Sequence, residues 1–123
     1  RARASNLALA LRQGERIMSI IKKTTTKQVQ EVIEATAEEF GVDPIDIVHP
    51  HGKAGRDIST ARYVCAFLLR DRLAMDRIAS LLGRRNNQYA YGAIDRVYSR
   101  SQEDHSFFVR VDSLADRFGG RWN

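Results

Sequence analysis

The segment Arg84-Arg85-Asn86-Asn87-Gln88-Tyr89-Ala90-Tyr91-Gly92 gathers two guanidiniums, three amides and two phenols into nine residues. None of these side chains is a nucleophile with a base beside it. Their common chemistry is hydrogen bonding to anions and to flat heterocycles. A guanidinium forks onto phosphate oxygens or onto guanine O6 and N7, and a side-chain amide pairs with adenine N6 and N7. Gly92, with no side chain, would let a helix approach a groove closely.

Such groups read a duplex only when a rigid element carries them, and the flanking residues supply one. Met75, Ile78, Ala79 and Leu82 are spaced to line the inner face of a short helix, and Gly83 suits the tight turn after it. Ala90, Ala93, Ile94, Val97 and Tyr98 then recur at i, i+3, i+4, i+7 and i+8, an unbroken apolar stripe. Gln88, Gly92 and Ser99 fall on the opposite face, flanked by Arg85 and Arg96. The pattern predicts a helix-turn-helix that buries one side and offers the other to the DNA major groove.

Within it, Arg84 and Arg85 stand at the start of the second helix, where backbone N–H groups favour phosphate. Arg85 can instead fork onto guanine. Asn86 fits either a helix N-cap or a base contact. Asn87 and Gln88 have the amide geometry for adenine, and Gln88 is the more outward of the two. Tyr89 and Tyr91 lie at opposite flanks of the face, placed for phosphate contacts or for partial packing in the core. Asp95 is outward too, so the helix is expected to be leaving the DNA there.

The charge distribution agrees. The chain has 123 residues and a formal net charge of +5, a length that suits one domain. Residues 1–27 carry net +6, residues 28–51 net −6, residues 52–100 net +6 and residues 101–123 net −1. A positive surface therefore coincides with the expected reading helix, and the acidic helix before it is expected to face away from phosphates. The lone Cys65 excludes an internal disulfide and suits a reducing compartment. It falls among Val64, Ala66 and Leu68 as a small buried hydrophobe. No apolar run is long enough for a membrane span. The chain opens on Arg1 rather than methionine, as a trimmed piece would, and no signal peptide is legible. The expected location is the cytoplasm, on the nucleoid.

The remaining elements read as helices. One over about 5–22 is apolar on two sides, with Leu7, Ala10, Leu11, Met18 and Ile21 on one stripe and Leu9 and Ile20 on another. It packs internally, or serves self-association or a protein partner. Val29, Val32, Ile33, Thr36, Ala37 and Phe40 mark a helix ended by Gly41. Asp43 and Pro44 open a short one as N-cap and first residue. Residues 49–57, HPHGKAGRD, are expected as a basic loop, with Ser59 capping a helix whose core stripe is Ala61, Val64, Cys65, Leu68 and Leu69. Glu103 and Asp104 suit the first turn of a last helix bearing Phe107, Phe108, Val111, Leu114, Ala115 and Phe118.

Three segments resemble the C-terminal DNA-binding domain of the bacterial replication initiator DnaA. They are Phe40-Gly41-Val42 with Asp46-Ile47, the basic run Gly55-Arg56-Asp57-Ile58-Ser59-Thr60-Ala61-Arg62, and Ile78-Ala79-Ser80-Leu81-Leu82-Gly83-Arg84-Arg85 with Ala93 and Val97. The likeness covers about residues 27–118. After its turn arginine the family typically reads Asp-His-Thr-Thr-Val, and this chain reads Asn86-Asn87-Gln88-Tyr89-Ala90. The resemblance therefore implies the scaffold with other base-reading side chains. The helix spacing itself predicts an all-α, compact helical bundle, with a helical extension over 1–26 and a tail over 119–123. The resemblance implies that its helix-turn-helix is DnaA/Trp-repressor-like, and it does not explain the first 26 residues. Its use would be in a transcription regulator, of the phage-derived kind found in activators of gene transfer agents. By the same resemblance Arg56 enters the minor groove, and Lys53 and Arg62 hold phosphates. Arg62 has a salt bridge to Asp57 or a nearby acid as its alternative.

Other chemistries find little support. His49, His51, Cys65 and His105 are not at zinc spacing, and no other cofactor is indicated. The acids over 31–46 form a helix face rather than a convergent catalytic pair, and no GxxxxGK[ST] loop occurs. An enzyme is not expected. The partner is double-stranded DNA. The alternatives are a module that binds RNA polymerase or a phage protein through the first helix, and an accessory factor in replication initiation.

Overall fold

The computed structural model describes residues 27–48, 55–118 and Trp122. Six α-helices account for most of them, with no strand among the described residues: α1 (Lys27–Phe40), α2 (Pro44–Val48), α3 (Arg56–Leu69), α4 (Met75–Leu81), α5 (Gln88–Glu103) and α6 (His105–Phe118). They form a compact bundle, as the apolar spacing predicts. The expected helix over 5–22, with its self-association or partner surface, lies outside the described residues, as do Lys53, His49 and His51.

Helix α3 is the axis of the bundle and packs against all five other helices. Ala61, Val64, Cys65, Ala66, Phe67 and Leu69 are wholly buried. A helix apolar all round must be enclosed on every side. The unbroken run Val64-Cys65-Ala66-Phe67-Leu68-Leu69 carries that message, and a single-stripe reading misses Phe67.

Helix α1 lays Val29, Val32, Ile33, Ala37 and Phe40 onto this core and keeps Glu31, Glu34 and Glu38 exposed. Buried Thr36 fits because its hydroxyl donates to the Val32 carbonyl at 2.7 Å. Helices α1 and α4 end alike. Gly41 and Gly83 take φ of +67° and +75°. The next amide reaches back to close the last turn, from Val42 to the Ala37 carbonyl at 3.0 Å and from Arg84 to the Ala79 carbonyl at 2.8 Å. This is a Schellman ending, and its left-handed residue has no steric cost only in glycine. Asp43 caps α2 as expected, its Oδ1 accepting from the Ile45 amide at 3.1 Å.

Two helix starts differ from the sequence reading. Helix α3 begins at Arg56 with Gly55 as N-cap, and the Ser59 amide already donates to the Gly55 carbonyl at 3.0 Å. Ser59 is thus inside the helix, and Arg56 and Asp57 belong to its first turn rather than to a loop. The Asp57 carboxylate stabilises that earlier start through the helix dipole. Asp104 is the cap of α6 and not part of its first turn. Its Oδ1 accepts from the Phe107 amide at 3.1 Å and from the Ser106 hydroxyl at 2.7 Å. These bonds, the Ser106 hydroxyl foremost, hold its carboxyl below the ordinary aspartate range. Glu103 closes α5 instead. Trp122, in the stretch read as a tail, lays its indole against Phe67 and Phe108 at centroid distances of 4.7 and 4.9 Å.

Candidate nucleic-acid interface

The connection from α4 to α5 is built by backbone and capping bonds that free its side chains. Asn86 Oδ1 accepts from the Gln88 amide at 2.9 Å, and the Asn86 carbonyl accepts from the Tyr89 amide at 3.1 Å. Asn86 thus forms an Asx turn just ahead of the helix, whose N-cap is the next residue, Asn87, without a side-chain cap bond. Its role is structural, one residue earlier than an N-cap. With the turn fixed by Gly83 and Asn86, Arg84, Arg85, Asn87 and Gln88 are all exposed at the tip of α5. Arg85 and Asn87 have no side-chain hydrogen bond or ion pair among the described residues. The Asn86 amide lies 3.5 Å from Gln88 Oε1, too long to hold that side chain firmly.

Behind the tip, α5 divides cleanly. Ala90, Ala93, Ile94 and Val97 are buried against α3 and α4. Gln88, Tyr91, Gly92, Asp95 and Ser99 face outward. Tyr91 is 54% exposed, so it takes no part in the core. A Cβ added at Gly92 would meet nothing within 4 Å. Tyr89 is half-buried on the α3 side, its ring 6.2 Å from that of Tyr63. Burial, reinforced by Tyr63, raises the Tyr89 phenol above its ordinary pKa, so it remains a neutral hydroxyl at physiological pH.

Arg62 is a correction. It is 7% exposed. Its Nε donates to the carbonyls of Asp46 at 3.2 Å and Ile47 at 3.1 Å, and its Nη2 to Asp46 at 2.8 Å. A guanidinium so placed satisfies the carbonyls left open at the C-terminus of α2. It is a clamp between α2 and α3 rather than an exposed phosphate ligand.

Arg56 is exposed in the first turn of α3 and has no ion pair among the described residues. It borders an open groove of about 1060 Å³ between α3, α5 and the start of α6, with Ser59, Tyr63, Arg96, Arg100 and His105 on the walls. Arg100 donates to Thr60 Oγ1 at 3.2 Å and lies over the Phe107 ring at 4.3 Å. The groove is absent from the sequence reading because its walls come from three helices. Its signal is nonetheless visible afterwards. Tyr89, Arg96 and Arg100 share one flank of α5, and Arg56, Ser59, Thr60 and Tyr63 share one face of α3.

Among the described residues, no group of three or more His, Cys, Asp or Glu could hold a metal ion, and no helix is long and apolar enough to cross a membrane. Compared with known proteins, the chain matches no family model and no curated sequence.

Proposed function

We propose that this domain binds double-stranded DNA sequence-specifically, in a transcription regulator, with α4, the Gly83 turn and α5 acting as a helix-turn-helix. The observation that carries the reading is the tip of α5. Arg84, Arg85, Asn87 and Gln88 project from a helix end whose backbone is fixed by Gly83 and Asn86, while the underside of the same helix is core. Rigid support of that kind is what base readout needs, because a side chain that must first be ordered loses much of its binding energy.

In this reading α5 enters the major groove by its N-terminal turns. Arg85 forks onto guanine, Gln88 and Asn87 pair with adenine, and Arg84, Tyr89 and Tyr91 contact phosphates. Bare Gly92 lets the helix sink close to the base edges. Arg56 takes the adjoining minor groove, whose narrow form concentrates negative potential. It does so from the first turn of a helix, which makes it a pre-aimed contact rather than a flexible one. The likeness to the DnaA domain supports the same arrangement, with the reading side chains changed. The acidic face of α1 (Glu31, Glu34, Glu38) belongs to the side away from phosphates.

The test is selection of bound duplexes from a random pool, followed by affinity measurements on Arg85→Ala and Gln88→Ala. Each substitution should cost about 1–3 kcal/mol on the selected site and relax preference at one position or two. A wild-type domain that enriches no sequence, or variants that bind like it in dilute salt, would sink the proposal.

A further inference from the structure

We infer that the seam between α3 and α5 is a phosphate track, which seats the sugar-phosphate backbone of one strand of the duplex that α5 reads. The inference rests on the DNA-binding reading above and adds a second row of contacts to it.

Along the seam, two guanidiniums flank a pair of rings. The Arg84 guanidinium lies 5.0 Å over the Tyr89 ring, Tyr89 meets Tyr63 at 6.2 Å, and the Arg96 guanidinium lies 5.2 Å over the other ring, that of Tyr63. Beyond Arg96 the row opens into the groove that Arg100 and Arg56 border. A guanidinium held over a ring keeps N–H groups that the ring does not engage, and these can reach phosphate oxygens. The ring contact also restrains the side chain, which lowers the entropy lost on contact. Arg96 and Arg56 have no ion pair among the described residues. Their charge is not already neutralised.

The direction of the row fits a backbone rather than base edges. At about 100° per residue, Arg96 and Arg100 lie roughly 80° and 120° round the helix from Gln88. When the Gln88 line points into the groove floor, that flank faces the groove wall, where the phosphates are. From Tyr89 to Arg100 the helix rises about 16 Å, a length over which one strand presents more than one phosphate. Carboxylates border the row. Asp95 lines the outer side of the groove beside Arg96, and Glu103 and Asp104 stand at its far end, with Asp104 engaged in capping α6. The strand therefore leaves the protein before Glu103.

The experiment measures affinity across a salt series, for the selected duplex and for an unrelated one, with Arg96→Gln and with the exposed α6 control Arg117→Gln. Arg96→Gln should weaken both duplexes about tenfold in dilute salt and lower the slope of log K against log salt by about one. Arg96→Glu should weaken them further, and Arg117→Gln should change neither quantity. Arg96 is exposed, and an unshifted thermal melt of its variants shows that folding is intact. An unchanged slope for Arg96→Gln, in a protein where Arg85→Ala still loses specificity, overturns the track and leaves α5 in the groove. An Arg96 effect seen only on single strands overturns it equally. No duplex binding by the wild type removes both.

Discussion

Arg62 shows how one side chain's chemistry is decided by what surrounds it. By residue type it is a cation in a basic run, and by position it is the bond between two helices. Arg62→Ala would strand the Asp46 and Ile47 carbonyls in a buried site, where each unmade bond costs more than a formed one contributes. The expected loss is about 2–4 kcal/mol in denaturant unfolding. Arg62→Lys should recover only part of it, because an ammonium cannot fork onto two carbonyls as a guanidinium does. Where the variant remains folded, its affinity for DNA should be close to wild type, which separates a clamp from a phosphate contact. None of this was legible in the sequence. The acceptors lie fifteen and sixteen residues before Arg62, and local spacing says nothing about such a pairing. Asn86, Asp43 and Gly83 act within their own turn, and their roles were readable for that reason.

At the level of elements, the helices whose apolar residues form one stripe are the ones that spacing locates well. Helices α1, α4 and α5 each bury one face, so period 3.6 reports them directly. Helix α3 buries nearly every face, and it starts four residues before a side-chain cap at Ser59 predicts, because Gly55 serves as its N-cap. Two glycines make opposite predictions from the same change. Gly41 has φ of +67° with open space round its Cβ position, so Gly41→Ala meets strain and no clash. It should lower stability by about 1 kcal/mol, and Gly41→Asn by less. Gly92 is mid-helix with nothing within 4 Å, so Gly92→Ala should raise stability by about 0.5–1 kcal/mol. Thermal melts of both variants check the signs. The same Gly92→Ala should weaken DNA binding if the helix approaches the groove as proposed.

At the scale of the whole molecule, Cys65 reports on the integrity of the bundle. It is wholly buried on α3, and burial pushes its thiol up to about 12. The folded pKa lies above the roughly 8.5 of an unfolded cysteine. The linked stability is therefore complete below that value and is lost as pH climbs from there towards 12. A thiol reagent at neutral pH should react only when the bundle opens, at a rate that follows global unfolding. Fast labelling of the folded protein would contradict the placement of α3 at the centre. Cys65→Ala should flatten the alkaline fall in stability. The interface at this scale was half legible. The tip of α5 is local in sequence, whereas the groove needs α3, α5 and α6 assembled.

Core and tip share no side chain. Those that hold α5 down are Ala90, Ala93, Ile94 and Val97, and those that project from its end are Arg85, Asn87 and Gln88. Mutation can therefore rewrite the letters of the projecting end one at a time while the scaffold stays intact. If the projecting end reads DNA as proposed, a lineage carrying this bundle is free to drift from one operator to another without ever passing through an unfolded ancestor.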